Sequence, residues 1–94
     1  MDDGCFQWDD AKAAANVAKH GVTFAAARDV FRDPFALDWP DTRFAYDVDR
    51  YLILGMVEGY VLYVAYAMRG DVVRIISARE AQPQERRRYH EANL

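Results

Sequence analysis

The sequence has few of the residues that build disulfide frameworks, metal sites or membrane spans. It contains one cysteine, Cys5, and two histidines, His20 and His90, so neither an internal disulfide nor a Cys/His zinc site is expected. No apolar run approaches the roughly 18 residues that a membrane-spanning helix needs. The acidic N-terminus lacks the basic and apolar regions of a signal peptide. We therefore expect a cytoplasmic protein with no metal, cofactor or membrane partner.

Several sequence signatures of catalysis are absent as well. The chain has no Gly-rich phosphate loop, no GxSxG nucleophile motif and no HExxH zinc motif. Its many aspartates fit no calcium-binding loop, and helix capping or turn formation explains most of them. These absences argue against P-loop nucleotide-binding enzymes, serine hydrolases with a GxSxG motif and metal-dependent hydrolases.

The residues that are present indicate one folded domain with unevenly distributed charge. The 94 residues are 52% hydrophobic and 14% aromatic, which is typical of a single globular domain over residues 1–94. The net charge is −3, yet the segment from Arg69 onward has six arginines against four acidic residues. Arginine suits phosphate recognition because its planar group donates two parallel hydrogen bonds. A local basic surface can therefore form on an acidic protein.

The N-terminal half predicts a short strand and two helices. Asp9 or Asp10 can cap an alanine-rich helix that Gly21 ends in a left-handed conformation. Thr23 is typical of a second helix start, and Pro34 ends that helix because the preceding residue avoids the α region. The predicted elements are a strand over residues 6–8, a helix over 11–19 and a helix over 24–31.

The C-terminal half changes to a strand-like pattern. Glu58-Gly59 and Gly70-Asp71 predict hairpin turns between β-branched and aromatic segments. Pro83 opens a short final helix that runs to Glu91. The predicted strands cover residues 43–48, 50–57, 60–69 and 72–78. The predicted fold class is α+β, an antiparallel meander packed with two N-terminal helices and a short C-terminal helix.

The last predicted hairpin has two different faces. With Gly70-Asp71 as the turn, one face is apolar and is expected to lie under helices, while the other combines arginines with small residues. This second face predicts a shallow floor for a ligand. The expected pairs are Arg69–Val72, Ala67–Arg74, Ala65–Ile76 and Tyr63–Ala78.

The arginines of the C-terminal segment form the first candidate site. Arginines on a strand beside a basic helix can hold successive phosphates and stabilise charge in a transition state. Alternatively, Arg87 and Arg88 are solvated and pair with Glu91 and Glu85. The group comprises Arg69, Arg74, Arg79, Arg86, Arg87 and Arg88.

Polar residues on the first helix form a second candidate site. Lys12, Asn16, Lys19 and His20 are spaced to lie on one helical stripe. His20 can act as a general acid, contact a phosphate or simply cap the helix. Cleaving RNA without a metal requires a base near a 2′-hydroxyl and an acid near the leaving oxygen. Further candidates for these proton transfers are Tyr63, Glu80, Glu85 and Tyr89.

Taken together, these segments resemble the BrnT toxins. The resemblance extends from about residue 6 to residue 89, and it is the combination of motifs in this order that is specific. The N-terminal segments that carry it are Phe6-Gln7-Trp8-Asp9, Lys12, Asn16, Lys19-His20-Gly21-Val22, Phe24, Ala27, Val30-Phe31 and Asp33-Pro34. The C-terminal segments are Arg50, Gly55, Arg74-Ile75-Ile76-Ser77-Ala78-Arg79, Ala81, Glu85-Arg86 and Tyr89.

The resemblance implies a toxin of a type II toxin–antitoxin pair with a RelE-like fold. Such a toxin is expected to be a metal-independent endoribonuclease that cleaves RNA and arrests translation. Its expected partner is a BrnA-like ribbon-helix-helix antitoxin, assembled with it as a two-plus-two hetero-tetramer. Operator DNA would be contacted only through the antitoxin.

The resemblance also implies roles for single residues. Arg74 and Arg79 would hold the scissile phosphate, and His20, Glu80 or Tyr89 would transfer protons. The family often has lysine at the position of Glu80 in this chain. The Glu80 carboxylate therefore weakens phosphate attraction, supplies a base or marks a weakened toxin. The expected RNA-binding residues are Lys12, Lys19, Arg69 and Arg86.

Three aromatic residues lie outside the predicted core pattern. We expect Trp39, Phe44 and Tyr46 to form an antitoxin-binding groove, because exposed aromatic residues favour interfaces. The alternative for them is ordinary packing under the edge of the sheet. The alternative function is a non-enzymatic antitoxin-binding subunit of an autoregulatory DNA-binding repressor complex.

Overall fold

The computed structural model describes residues 1–43, 45 and 49–94 of the chain. The five strands form one sheet in the order β1-β5-β4-β3-β2, and the predicted α+β class is confirmed. No helix in the described part of the chain is long and apolar enough to cross a membrane. The elements are β1 (Phe6–Gln7), α1 (Asp10–His20), α2 (Phe24–Asp29), a 3₁₀ turn (Val30–Arg32), β2 (Leu37–Pro40), β3 (Arg50–Val57), β4 (Tyr60–Arg69), β5 (Val72–Glu80) and α3 (Pro83–Ala92).

The predicted caps of the first two helices are confirmed. The Asp9 carboxylate accepts a hydrogen bond from the Lys12 amide at 3.0 Å, and Gly21 has the left-handed φ of 70°. The Thr23 hydroxyl accepts from the Ala26 amide at 3.0 Å. Helix α2 is shorter than predicted because its last turn tightens into the 3₁₀ turn before Pro34.

The sheet is a meander with one parallel strand added. Strands β3 and β4 have the predicted bounds, and β5 continues beyond its predicted end to Glu80. Glu58 and Gly59 have φ of 51° and 86°, the left-handed pair that a tight hairpin turn needs. Strand β1 pairs parallel to β5, so the prediction of a purely antiparallel sheet holds only for β2 to β5.

The strand beside β3 differs from the prediction. The strand predicted over residues 43–48 lies largely outside the described residues, and Arg43 is in a bend. The strand that pairs with β3 is β2, in which Trp39 stands opposite Leu52. Asp38 and Pro40 have low strand propensity, although a proline is tolerated at a strand end. This composition concealed β2 from sequence reasoning.

The register of the last hairpin changes at a β-bulge. The pairs Arg69–Val72 and Ala67–Arg74 are confirmed, but Ser77 rather than Ile76 stands opposite Ala65. The predicted pair Tyr63–Ala78 is likewise wrong, since Tyr63 stands opposite Arg79. The extra residue, Ile76, reverses the alternation of the residues that follow it. Arg74 and Arg79, five positions apart, therefore lie on the same side of β5.

Helices α1 and α2 cover one side of the sheet, the helical face. Phe24, Ala27 and Val30 are fully buried there against strand residues. A methyl group at Gly55 would lie 2.6 Å from Val30 Cγ1, so the glycine allows this close approach. The strand residues of this core are Ile53, Leu62, Val64, Tyr66, Ile75 and Ala78.

Helix α3 packs against the opposite side of the sheet. Tyr89 is its buried anchor and contacts Leu54 and Val61. This second core is smaller than the first and covers only the end of the sheet near the β3–β4 turn. The rest of this side carries arginines and small residues, together with the buried Leu52.

Candidate functional site

The side of the sheet that bears α3 carries four arginines. Residues that stand opposite each other in a sheet share a face, and Arg50 and Arg74 flank Ala67 from both neighbouring strands. Arg79 stands opposite Tyr63, which is on the same side of β4 as Ala67. Ala67 is buried, so this side has the small-residue floor that the sequence predicts. We call it the arginine face and define it by Arg50, Arg69, Arg74 and Arg79.

Arg79 is held between a carboxylate and an aromatic ring. Its guanidinium donates to both carboxylate oxygens of Glu85, at 2.7 and 2.9 Å, and lies 4.2 Å from the centroid of the Tyr63 ring. The hydrogen bond with Glu85 raises the pKa of Arg79. Burial alone would raise the pKa of Glu85, but hydrogen bonds from Arg79 and the Gln82 amide lower it. The pair therefore stays ionised and fixes Arg79 at the start of α3.

Arg74 has a different partner at the other end of the arginine face. One of its guanidinium nitrogens donates to Gln7 Oε1 at 2.8 Å, which ties β5 to β1 through their side chains. The bulge therefore places Arg74 and Arg79 on one face, but their guanidinium groups bind different partners. Because of the bulge, the five steps from Arg74 to Arg79 span only the four from Ala67 to Tyr63 on β4, about 13 Å, so both guanidinium groups would have to turn from these partners to hold one phosphate.

A groove between α1 and β5 is lined on the strand side by Ile76 and Ser77, which lie between Arg74 and Arg79 along β5. It has a volume of about 220 Å³, and its lining includes Lys12, Lys19, His20 and Ser77. Asn16 fixes the helix along the strand: its side-chain amide donates to the Ala78 carbonyl at 2.8 Å and accepts from the Ala78 amide at 3.1 Å. The predicted stripe on α1 thus forms one wall of this groove. Lys12, Lys19 and His20 lie on that wall.

His20 and Glu80 line a second cavity, of about 400 Å³, on the helical face. Glu80 stands opposite Leu62, a residue of the core under α1 and α2. The side chain of Glu80 is thereby directed away from the arginine face, although Glu80 follows Arg79 in sequence. His20 lines both the cavity and the groove. It is the candidate proton-transfer residue that connects Glu80 with the cationic groove.

Tyr89 does not join the other catalytic candidates. Its hydroxyl donates to Asp33 Oδ2, and the same oxygen accepts from the Met56 amide at 2.8 Å. Burial and this hydrogen bond raise the pKa of Tyr89 to about 12. Tyr89 therefore links α3 to the segment before β2 and is a poor proton acceptor near neutral pH.

Trp39 lies at the far side of the arginine face. Its ring centroid is 4.3 Å from the Arg88 guanidinium and 6.3 Å from the centroid of the Tyr63 ring. These residues border a cleft of about 250 Å³ between β2 and α3, where Arg43 also pairs with Asp41. Phe44 and Tyr46, the other two residues predicted to bind the antitoxin, lie outside the described residues.

The remaining predicted contacts lie at the ends of this surface. Arg69 is exposed at the end of β4, and Arg86 donates to the Ala81 carbonyl at 2.9 Å. Within residues 1–43, 45 and 49–94, no three His, Cys, Asp or Glu side chains are grouped as metal ligands. The named residues thus form a broad surface rather than one closed pocket.

Sequence reasoning missed the contacts that connect distant segments. It did not identify the Arg88–Trp39 contact, and it paired Glu85 with Arg88 as an alternative, whereas Glu85 binds Arg79. No local signal in the sequence indicates either contact. Trp39 could be recognised as a neighbour of the arginine-rich helix α3 only if β2 were first placed beside β3.

Comparison with known proteins identifies one family. The family model described as "Ribonuclease toxin, BrnT, of type II toxin-antitoxin system" matches residues 8–85, which include α1 and all of β2 to β5. No curated protein matches the chain.

Proposed function

This chain belongs to the BrnT family of ribonuclease toxins of type II toxin–antitoxin systems, and we propose that it cleaves RNA without a metal ion and so inhibits translation. The observation that carries this proposal is the bulge at Ile76. It places Arg74 and Arg79 on one face of β5, on either side along the strand of Ile76 and Ser77, which line the groove with Lys12, Lys19 and His20.

The reaction needs three roles, and side chains of this surface can supply each of them. A base removes the proton of a 2′-hydroxyl, the 2′-oxygen bonds to phosphorus, and the bond to the 5′-oxygen breaks as that oxygen takes a proton. The expected products are a 2′,3′-cyclic phosphate and a 5′-hydroxyl. Cations on the non-bridging oxygens stabilise the additional negative charge of the transition state.

We assign the cationic role to Arg74 and Arg79 and a proton-transfer role to His20. Glu80 is the second candidate, and because its side chain is directed away from the arginine face it would act through His20, with which it lines one cavity. Lys12 and Lys19 in the groove, with Arg69 and Arg86 at the ends of the surface, would bind the flanking phosphates. Tyr89 is reassigned to holding α3, because its hydroxyl is bound to Asp33.

The Arg79–Glu85 pair determines how the phosphate would bind. Glu85 occupies the same fork of the guanidinium that a phosphate would use. Phosphate binding therefore requires either exchange with Glu85 or a contact with the remaining guanidinium edge. The Arg79–Glu85 pair also favours the alternative function, because it occupies the guanidinium edge that catalysis would use. In that alternative the chain is a non-enzymatic antitoxin-binding subunit of a repressor complex.

The proposed partner is a BrnA-like antitoxin with a ribbon-helix-helix part. Two toxins and two antitoxins would form a hetero-tetramer in the cytoplasm that contacts operator DNA only through the antitoxin. Trp39 is half-exposed and stays our predicted antitoxin contact, together with Phe44 and Tyr46. An alanine scan of these three positions that leaves antitoxin affinity unchanged would remove this part of the proposal.

The decisive experiment is RNA cleavage by the purified, antitoxin-free chain in EDTA. We expect the Arg74→Ala and Arg79→Ala variants to lose about 100-fold or more in cleavage rate, and His20→Gln to lose a similar factor. Arg32→Ala is the matched control, since Arg32 is a highly exposed arginine on the 3₁₀ turn. End-group analysis should detect the cyclic phosphate.

The opposite result would favour the alternative function. If the wild-type chain leaves RNA intact in EDTA, with and without ribosomes, but binds its antitoxin, the ribonuclease proposal fails for this protein. Glu80→Lys is then the informative variant. A gain of cleavage would identify Glu80 as the residue that weakens this toxin.

A further inference from the structure

Two aromatic rings lie between two guanidinium groups at the α3 end of the arginine face. From α3 to β5 the order is Arg88, Trp39, Tyr63 and Arg79, with cation-to-ring distances of 4.3 Å at Trp39 and 4.2 Å at Tyr63. The two rings meet edge to face at 6.3 Å between centroids. Aromatic side chains beside cationic groups are the elements that single-stranded nucleic acids bind, bases on the rings and phosphates on the cations.

The Trp39 ring is available from the solvent side. Trp39 is half-buried, and the group above its ring belongs to Arg88, an exposed residue of α3. A flat cationic group already lies over this ring, so the same space accepts another flat group. The adjoining cleft of about 250 Å³ is smaller than the ~300–1,000 Å³ pockets that hold drug-sized ligands. A single nucleobase suits this size.

Charge favours a polyanion at this position. Glu85 pairs with Arg79 and Asp41 with Arg43, so these two pairs leave the charge of Arg88 as the net charge of the described residues around the cleft. A basic segment of a protein partner would meet this net positive charge and the Arg88 guanidinium over the Trp39 ring. An RNA strand would meet the same charge with its phosphates.

We propose that Trp39 is a base-stacking residue of the RNA site. The base of a nucleotide next to the phosphate at Arg79 stacks on the Trp39 indole, and the Arg88 guanidinium covers the base or moves to its phosphate. This proposal rests on the proposed ribonuclease function. Because every base has a flat face, the contact adds affinity for single strands and little sequence preference.

The test uses tryptophan fluorescence and an RNA analogue that cannot be cleaved. Trp8 and Trp39 are the two tryptophans of the chain, and Trp8 is a half-buried residue that packs against the core of the helical face. In a Trp8→Phe background, the fluorescence of Trp39 alone is followed while a 2′-O-methyl oligonucleotide is added. We expect quenching that saturates with binding. An abasic oligonucleotide of equal length should bind weakly and leave the fluorescence nearly unchanged.

Affinity measurements on variants separate stacking from folding. Trp39→Ala should weaken oligonucleotide binding by roughly 10- to 100-fold, whereas Trp39→Phe, which keeps an aromatic face, should lose less than about 5-fold. If Trp39→Ala does not fold, Arg88→Ala reports on the same position. It leaves the Trp39 ring in place and should change both its emission and the extent of quenching.

The outcomes distinguish this proposal from the function on which it rests. Equal quenching by normal and abasic oligonucleotides, or unchanged affinity in Trp39→Ala, would overturn base stacking even if the chain cleaves RNA. Loss of antitoxin affinity alone in Trp39→Ala would overturn it in favour of a protein contact. Quenching by the analogue with no cleavage of normal RNA would support stacking while the ribonuclease proposal fails.

Discussion

The two sides of the sheet are formed by the same strands, β3, β4 and β5, but present different residues. The helical face buries Phe24, Ala27 and Val30 against apolar strand residues, and its stability depends on close packing. The arginine face places the half-buried Arg74 and Arg79 beside small residues, and α3 packs only on its end near the β3–β4 turn. In this chain of 94 residues the larger core lies on the helical face and the proposed binding site on the arginine face, so variants of the two sides should have largely separable effects.

The largest loss of stability is expected at Gly55, on the helical face. Gly55→Ala places a methyl group 2.6 Å from Val30 Cγ1 and 3.1 Å from the Val30 carbonyl oxygen. Overpacking of this kind costs about 3 kcal/mol at the upper end of its usual range. Denaturant unfolding should show this loss, while the folded fraction keeps its affinity for RNA. Equal losses of stability and RNA affinity would show that the two sides are not separable.

Asn16 joins the two sides, and its replacement should affect both. Asn16→Leu keeps the approximate size but leaves the Ala78 amide and carbonyl and the Val22 carbonyl without this partner. Unpaired buried backbone groups cost about 1–3 kcal/mol each, and partial access to water should bring the total near 2 kcal/mol. Hydrogen exchange at the Ala78 amide is the direct readout. Unchanged protection there would contradict the expected role.

Tyr89 tests whether α3 serves stability or catalysis. Tyr89→Phe removes the hydrogen bond to Asp33, and we expect a loss of about 1 kcal/mol with little change in RNA cleavage. A loss of cleavage much larger than the loss of stability would return Tyr89 to the catalytic group.

The same variant has a defined pH dependence. The pKa of Tyr89 is raised from 10 to about 12 by burial and by the Asp33 hydrogen bond, so the folded state keeps a proton that the unfolded state loses. The stability from this group is complete below pH 10 and is lost as the pH rises towards 12. Urea midpoints of wild type should therefore approach those of Tyr89→Phe over this range. Parallel curves would contradict this assignment.

The smallest effect is expected from a single lysine at the edge of the arginine face. Lys19→Gln removes one charge from the groove beside β5 and should weaken RNA binding only a few-fold at moderate salt. The slope of log affinity against log salt should fall by about 0.7, the value for one phosphate contact on a single strand. Arg32→Gln, on the 3₁₀ turn, is the control and should leave the slope unchanged.

Sequence reasoning located most of the fold because its signals were local. The caps at Asp9, Gly21 and Thr23 and the bounds of β3 and β4 follow from residue types and turn chemistry within a few positions. Strand β2 was missed because Asp38 and Pro40 oppose strand propensity, and pairing with β3 overrides that preference.

The candidate site was less accessible to sequence reasoning. Residue type and family resemblance identified Arg74, Arg79 and His20 as candidates. The relative placement of the two arginines depends on a bulge, and no residue type in Ile75-Ile76-Ser77 predicts a bulge there. The contact between Arg88 and Trp39 joins segments 49 positions apart in the chain. Only the packing of α3 against the sheet brings these two side chains together.

The position of Asn16 has a consequence for assembly. An open sheet edge invites another chain to add a strand, which leads to swapped dimers or aggregates. In the described part of the chain, the outer edge of β5 is occupied first by β1, at Val73 and Arg74, and then by the side chain of Asn16 at Ala78. A helix residue thus substitutes for a neighbouring strand at this edge. Among the described residues β1 and β2 are the outer strands of the sheet, so a partner that adds a strand would have to pair with one of them rather than with β5 at these positions.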